Sequence, residues 1–316
     1  MTKLDETINN SSTFKVKKEK NTMQRQEQVF LFFFLLYSVV QFLIFYVGVN
    51  INSILLAFRK YDVLNATYSY AGFSNFGNVL RDLFVNGKLT LAVKNSSIQF
   101  AINFFLAIPL HVIVAYGVFK KIPCSGFLKI MLFMPNMING MVFVVCGGYV
   151  IRYGFPIVFG EGAANLLSQY YYSSFWTILI FGFWMNLASG LIIYLGAMSG
   201  IDNEVMEYCK LEKLSSIREL WSIVIPLIFP TITTYVIVTI AGFFTNYGFF
   251  FSFVGETNGP YDTLGFRFFV MVAGEKSGGP EYYPYASAGG LLFTLVLTPI
   301  TLGVRGLLQK YGPSEE

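Results

Sequence analysis

Six long apolar stretches alternate with polar segments along the chain. They cover residues 29–49, 95–119, 127–150, 174–198, 223–247 and 286–306. A helix rises about 1.5 Å per residue and therefore needs about 20 mainly apolar residues to cross some 30 Å of hydrocarbon. Each stretch meets that length. The pattern predicts an all-α, polytopic membrane protein with six transmembrane helices.

Composition agrees with a chain whose main partner is membrane lipid. Hydrophobic residues make up 54% of the 316 positions and charged residues only 13%, about half the share in an ordinary soluble domain. The net charge of +4 is small and forms no basic patch, so nucleic acid is not an expected partner. The three cysteines have no CxxC spacing, which favours neither a disulfide framework nor a metal cluster.

The basic residues predict the orientation. A polar tail, residues 1–27, precedes the first apolar run and is far longer than the charged start of a signal peptide. If that tail is cytoplasmic, the inner segments hold 14 of the 22 lysines and arginines. Because the cytoplasmic loops of membrane proteins carry an excess of lysine and arginine, both termini are expected in the cytoplasm. The expected division is the tail 1–27, a six-span domain at 28–311 and a short C-terminal tail at 312–316.

One loop is strongly charged. From Asp202 to Glu219 eight of 18 residues are ionisable, and this loop lies between spans 4 and 5, on the cytoplasmic side. Asp202 or Asn203 is suited to cap a first short helix, and Ser216 with Glu219 fits a capping box that starts a second helix at about Ile217.

An apolar stripe runs along this predicted helix pair. It consists of Leu211, Leu214, Ile217 and Trp221. Periodicity alone leaves open whether the stripe packs on the protein's own surface or inserts into a partner.

The loop resembles the cytoplasmic EAA loop of the permease subunits of binding-protein-dependent ABC importers. Glu207 and Pro226 keep the nineteen-residue distance between the glutamate and the proline of that motif, and Ile223-Val224-Ile225-Pro226 stands for its Ile-x-Leu-Pro ending. By this resemblance the two short helices sit in a cleft on a cytoplasmic ATPase subunit. The coupling loop, about residues 199–222, would then contact the ATPase through Glu207, Tyr208, Cys209, Leu211, Glu212, Lys213 and Leu214.

The loop also departs from the family pattern. Tyr208 and Cys209 replace two small residues, Glu212 replaces the usual Asp, and Lys213 replaces the glycine of the turn. Lysine takes a left-handed backbone less readily than glycine. Either the turn has ordinary dihedral angles, or the docking partner has adapted to a bulkier loop.

Weaker matches elsewhere resemble the carbohydrate branch of these permeases, of the maltose-importer type. They are YVGVNINSILLAFRKY at 46–61, GFSNF at 72–76, FLKIMLFMP at 127–135, GETNGPYDTLG at 255–265 and YASA at 285–288. The resemblance implies one half of a heterodimeric, alternating-access pathway for a sugar or oligosaccharide, in a bacterial plasma membrane. The implied partners are a second homologous permease subunit, two ABC ATPase subunits that carry ATP and Mg²⁺, and an extracellular solute-binding protein.

Polar residues inside spans are candidates for the pathway, because unpartnered polar groups are costly in hydrocarbon. Asn186 and Ser189 are three apart on span 4, and Thr239 and Asn246 are seven apart on one face of span 5. With the aromatic ring of Phe243 they suit a neutral polyol, and the resemblance implies a site at about these positions. The alternative is that these groups join helices as polar packing contacts.

Two other features of the spans are expected to have a structural role. His111, the one histidine of the chain, lacks ionisable neighbours in its span and is expected to be a hydrogen-bonded structural residue. A methionine stripe on span 3 is expected to fill packing gaps. Its members are Met131, Met134, Met137 and Met141.

The competing function classes lack their signatures. No Walker A motif or nucleophile cluster occurs, so no catalytic residue and no cofactor of this chain's own is expected, and an intramembrane enzyme is not favoured. A channel or secondary carrier without ATPase, and a permease for a non-sugar solute, remain alternatives.

Overall fold

The computed structural model describes residues 27–168, 172–257, 259–276 and 278–313. It divides into two compact units, one ending at Leu56 and the other beginning at Ala57. Apart from Glu27, the expected N-terminal tail lies outside the described residues, as does the C-terminal tail from Ser314.

The described part of the first unit is one long helix, α1, Glu27–Leu56. Its seven-residue stretch Phe42–Gly48 is π-helical. Almost all of its side chains are exposed, including five of the phenylalanines between Phe30 and Phe45 at more than 60%. Such a uniformly apolar, exposed helix is what contact with lipid requires.

The second unit opens with a hairpin of two short strands, β1 (Arg59–Asp62) and β2 (Thr67–Tyr70), which pair antiparallel. Helix α2 (Ser74–Phe84) follows, and its buried Asn75 donates hydrogen bonds to the carbonyls of Ala57 and Arg59 at 2.8 and 2.7 Å. Helix α3, Thr90–Phe119, is then the second membrane span, with a π-helical stretch at Asn103–Ala107.

The third span differs from the prediction. The stretch 127–150 is not one helix, because α4 (Ser125–Met137) ends before α5 (Gly140–Phe159) begins. Ile138 has an extended backbone, and the Asn139 side chain caps α5 by accepting the Met141 amide at 3.0 Å. Helix α5 alone is long and apolar enough to span a membrane.

The methionine stripe is also corrected. Its members fall on two different helices, and their side chains are exposed by 48 to 85%. They therefore do not fill gaps within this chain.

After a 3₁₀ helix at Glu161–Leu167 comes α6, Ser173–Ser199, which matches the predicted span 4 closely. The short helix α7, Asn203–Leu211, leads into α8 (Ser216–Leu227) and α9 (Phe229–Ala241). The last two meet at a bend of 73°. Pro230 lacks the amide hydrogen that would bond the carbonyl one turn earlier, so the helix breaks at this point.

The fifth span is therefore a bent pair that ends at Ala241, and its predicted extension to residue 247 is wrong. The remaining helices are α10 (Phe250–Val254), α11 (Leu264–Ala273) and α12 (Tyr283–Tyr311). In the described residues five helices are long and apolar enough to cross a membrane, or six if α8 and α9 count as one span. The all-α polytopic fold is thus confirmed.

Candidate functional site

A cavity of about 460 Å³ opens between α3, α6, α9 and the segment that follows α9. Eighteen residues line it, and among these described residues none is lysine, arginine, aspartate or glutamate. Amide, hydroxyl and aromatic groups predominate instead. The aromatic wall includes Phe100 and Phe243, whose rings meet edge to face at 5.2 Å. Such a lining can hydrogen-bond a neutral, hydroxyl-rich molecule and pack against its apolar faces.

The structure brings together four of the five residues assigned to the pathway from sequence. Asn186, Thr239, Phe243 and Asn246 all line the cavity, whereas Ser189 does not. The Asn186 side-chain amide donates to the backbone carbonyl of Gly182 at 2.8 Å, and the Thr239 hydroxyl donates to the backbone carbonyl of Tyr235 at 2.8 Å. Each of these bonds uses a donor of the side chain, so the oxygens of both side chains can still accept hydrogen bonds from a bound molecule.

Asn246 reaches the cavity by a different route from the one predicted. It does not share a helical face with Thr239, because α9 ends at Ala241. It lies in the turn that follows, where its side-chain oxygen accepts the Gly248 amide at 2.9 Å and Gly248 itself has a positive φ of 52°. The interruption of the helix exposes backbone and side-chain polar groups of 245–249 to the cavity.

Sequence reasoning missed the contribution of α3. Four polar residues of this helix line the cavity: Ser96, Gln99, Asn103 and His111. The last three, together with Ala107, recur every fourth position. In an α-helix each such step drifts by about 40° around the axis, but a π-helical turn widens the repeat and reduces the drift. The π-helical stretch at Asn103–Ala107 therefore keeps the polar stripe of α3 on one side.

His111 is not the hydrogen-bonded residue expected from sequence. The residue is 2% exposed, and neither ring nitrogen makes a hydrogen bond of good geometry with a described residue, although the Asn186 backbone lies close enough to interact. Its ring lies edge to face with that of Tyr235, with the ring centroids 5.7 Å apart, and it fills the space that a Cβ at Gly190 would occupy. A buried imidazole at a cavity wall with no good bond is a polar group that a guest or water can satisfy.

A hydrogen-bond network pins the segment before α11 to the start of α3. Asn95, fully buried, donates to the carbonyls of Pro260 and Asp262 at 3.0 and 2.8 Å and accepts the Tyr172 hydroxyl at 3.0 Å. The Leu264 amide donates to the Ser96 hydroxyl oxygen at 2.9 Å.

Asp262 carries a buried charge in this network. Its carboxylate accepts the Gly259 amide at 3.0 Å and pairs with Arg267 at 3.6 Å, but burial dominates and raises its pKa to about 6. Loss of solvation disfavours the charged form more than these two partners favour it.

The charged loop forms a helix, a turn and a second helix, as predicted. Helix α7 follows Asp202 as N-cap, but the side chain of Asp202 makes no capping bond. The turn between the helices contains Lys213 with φ of 52°, so lysine does take the left-handed backbone that glycine would adopt more cheaply. The alternative of ordinary dihedral angles at this turn is therefore wrong.

The residues assigned to ATPase coupling differ in exposure. Glu207, Tyr208, Leu211, Glu212 and Lys213 are exposed, Leu214 is half-buried and Cys209 is buried at 1%. The apolar stripe is largely open at its ends, where Leu211, Ile217 and Trp221 are exposed by 82, 73 and 66%. An apolar face of this size next to charged side chains is typical of a protein contact.

The predicted capping box is shifted by one residue and altered. Ser215, not Ser216, is the N-cap of α8 and accepts the Arg218 amide at 3.4 Å. Glu219 does not return to the cap, because its carboxylate pairs with Lys120 at the end of α3. Sequence contains no local signal for a pair 99 residues apart.

Comparison with known proteins adds a family match. The family model described as "Binding-protein-dependent transport system inner membrane component" matches residues 92–311. The polygalacturonan/rhamnogalacturonan transport system permease protein YteP of Bacillus subtilis is 25% identical over 321 aligned positions, covering 95% of this chain and 94% of YteP. The multiple sugar-binding transport system permease protein MsmF of Streptococcus mutans is 21% identical, covering 88% and 94%.

Solved structures have the same fold. A chain of a bacterial ABC transporter involved in the import of the acidic polysaccharide alginate aligns with a TM-score of 0.70 at 16% identity, over 92% of this chain and 99% of that one. A chain from the complex of the alginate transporter with its pentasaccharide-bound periplasmic protein aligns with a TM-score of 0.68, over 90% and 96%.

Proposed function

Because the chain belongs to the family of inner membrane components of binding-protein-dependent transport systems, we propose that it forms half of an alternating-access pathway for a neutral sugar or oligosaccharide. It is a multi-pass transport subunit. The observation that carries the sugar proposal is the cavity, which offers many neutral hydrogen-bonding groups, aromatic faces and no fixed charge among its described lining residues. The names of YteP and MsmF, which refer to saccharides, support the same class.

The absence of charged lining residues argues for a neutral saccharide in particular. The alginate transporter is named for an acidic polysaccharide, and YteP is named for polygalacturonan and rhamnogalacturonan. A carboxylate that enters a cavity without cationic partners loses its hydration and gains only hydrogen bonds from amide and hydroxyl donors. Neutral hydroxyls lose less on entry, and they match the donors and acceptors of Gln99, Asn103, Asn186 and Thr239.

The proposal includes the partners and the orientation. A second homologous permease completes the pathway, and an extracellular solute-binding protein delivers the saccharide. Two cytoplasmic ABC ATPases bind ATP and Mg²⁺, and they contact the exposed loop at α7 and the start of α8. Both termini lie in the cytoplasm of a bacterial cell membrane. The exposed apolar side chains of Leu211, Ile217 and Trp221 support a protein partner at this loop.

Two measurements test this function. First, the chain is extracted from its native membrane in mild detergent, and its partners are identified by mass spectrometry. An ATPase and a second permease in stoichiometric amounts are expected. Extraction of the chain alone or as a homodimer would refute the importer assignment in favour of a channel or carrier. Glu207→Ala and Lys213→Glu should reduce ATPase recovery, and unchanged recovery in both would remove the coupling role from this loop.

The second measurement addresses the substrate. The purified complex with its binding protein is reconstituted in proteoliposomes and supplied with three pools of labelled solutes: neutral oligosaccharides, oligogalacturonates and amino acids. ATP-dependent uptake from the neutral pool is expected. Uptake of only the uronates would refute the neutral class, and uptake of only amino acids would refute sugar transport.

A further inference from the structure

A partly buried ion pair joins the charged loop to α3. Lys120 follows the last residue of α3, and its Nζ lies 2.9 and 2.8 Å from the Oε1 and Oε2 atoms of Glu219 in α8. The Glu219 side chain is 3% exposed and that of Lys120 is 24% exposed. Removal of Lys120 would leave the nearly fully buried Glu219 carboxylate without its partner, which costs more than the loss of a surface pair.

The surrounding core makes this junction stiff. Leu220 and Val224 of α8 pack in one buried cluster with Val112, Ala115 and Tyr116 of α3. On the other side of α8, Ile217 and Trp221 remain exposed. Helix α8 therefore has one face fixed to α3 and another face open to a partner.

The chain continues from α8 by a weaker mechanical route. The 73° bend before α9 interrupts the backbone hydrogen bonds of the helix at Pro230. A movement of α8 is therefore not transmitted to α9 through one continuous helix. Helix α3, in contrast, runs as one helix from Lys120 back past His111, Asn103 and Gln99, which line the cavity. The ion pair therefore links the loop to a continuous helix that lines the cavity.

We propose that Lys120 and Glu219 are positioning residues that carry the movement of the charged loop directly into α3 and thereby change the cavity. This inference rests on the proposed function, because the movement originates in ATPase subunits bound to the loop. Neither residue contacts the solute. Their role is to keep α8 and the inner end of α3 moving as one body.

The test measures whether α3 responds to ATP. In a chain with Cys124→Ser and Cys146→Ser, which remove the two exposed thiols, Asn103→Cys reports access to the cavity. The intact importer is treated with N-ethylmaleimide, with and without Mg-ATP and vanadate. We expect the alkylation rate of this reporter to change by roughly fivefold or more between the two conditions.

Glu219→Gln should abolish that difference while ATPase binding and ATP hydrolysis persist, since the open face of α8 is unchanged. The exchanged pair, Lys120→Glu with Glu219→Lys, should regain it. Lys121→Gln, a change at the adjacent exposed lysine, is the matched control and should respond like the parent chain. If the exchanged pair does not accumulate, Lys120→Met with Glu219→Met removes both charges at similar bulk; it should lack the difference as Glu219→Gln does, and a response like that of the parent chain would overturn the role of the ion pair.

The outcomes separate the two proposals. A complex without ATPase refutes the proposed function itself. If ATPase is present and hydrolyses ATP but Glu219→Gln keeps the full response, the ion-pair proposal is overturned. It is also overturned if the response disappears only together with ATPase binding, if the exchanged pair accumulates but does not exceed Glu219→Gln, or if the double methionine variant responds like the parent chain.

Discussion

Gly190 of α6 faces the imidazole of His111, and the exchange Gly190→Ala tests how tightly α3 and α6 are packed at the cavity wall. An added Cβ would lie 2.6 Å from Cδ2 of that ring and closer still to Cγ and Nδ1, whereas ordinary contacts begin at 3.4 Å. The ring must therefore move by about 0.8 Å or more, either into the cavity or with a shift of the helices. Such overpacking costs about 1–3 kcal/mol.

The matched control is Gly196→Ala on the same helix, where nothing lies within 4 Å of the added Cβ. Both exchanges gain about 1 kcal/mol of helix propensity, so the difference between the two variants isolates the contact with His111. Unfolding of the purified chain in detergent measures that difference, and uptake by the reconstituted importer reports its effect on the cavity.

A double-mutant cycle tests the cause. His111→Ala removes the ring and should relieve most of the penalty of Gly190→Ala, because the two groups are in direct contact. Our account of this wall is wrong if Gly190→Ala is as stable as Gly196→Ala, or if its penalty remains in the absence of the His111 ring.

Three further outcomes are expected. Asn95→Ala should destabilise the chain by about 2–4 kcal/mol in detergent unfolding, because it leaves buried partners at Pro260, Asp262 and Tyr172 unsatisfied, whereas Ser97→Ala on the exposed face should change it by less than about 0.5 kcal/mol. Burial raises the pKa of Asp262 from 3.8 to about 6. Its contribution to stability is therefore present below a pH of about 4 and is lost as the pH rises through about 6. A pH series of unfolding midpoints in which Asp262→Asn has the same slope as the parent chain would contradict this. Lys213→Gly should stabilise the loop by about 1 kcal/mol, because it relieves a positive φ, whereas Lys210→Gly inside α7 should lose about as much; equal effects in unfolding measurements would exclude backbone strain at Lys213.

Hydropathy predicted the number of spans better than their continuity. An apolar run records that a segment is surrounded by hydrocarbon or protein, but not whether its backbone is one helix. The break at Asn139 and the bend near Pro230 both occur within such runs. Proline and a capping asparagine are visible in the sequence, and they were the available signals for these interruptions.

The cavity was partly predictable for a similar reason. Asn186 and Thr239 were found because single polar residues stand out in apolar helices. The stripe on α3 could have been found from its four-residue spacing, but a strict α-helical wheel spreads it over a wide arc. Only the π-helical stretch at Asn103–Ala107 brings it to one side, and no local sequence rule specifies such a turn.

The distribution of charge along α3 has a physical reason. Near its N-terminal end Asn95 holds the segment that contains the ion pair of Asp262 and Arg267, and just past its C-terminal end Lys120 pairs with Glu219. Between them the described cavity lining is uncharged. A charge is least costly where water or headgroups are near and most costly at mid-membrane. Charged contacts therefore lie at both ends of α3, while its middle presents neutral groups to the cavity. If the charged loop moves α3 as proposed above, any rotation of this helix must change the cavity wall and at least one of these end contacts together.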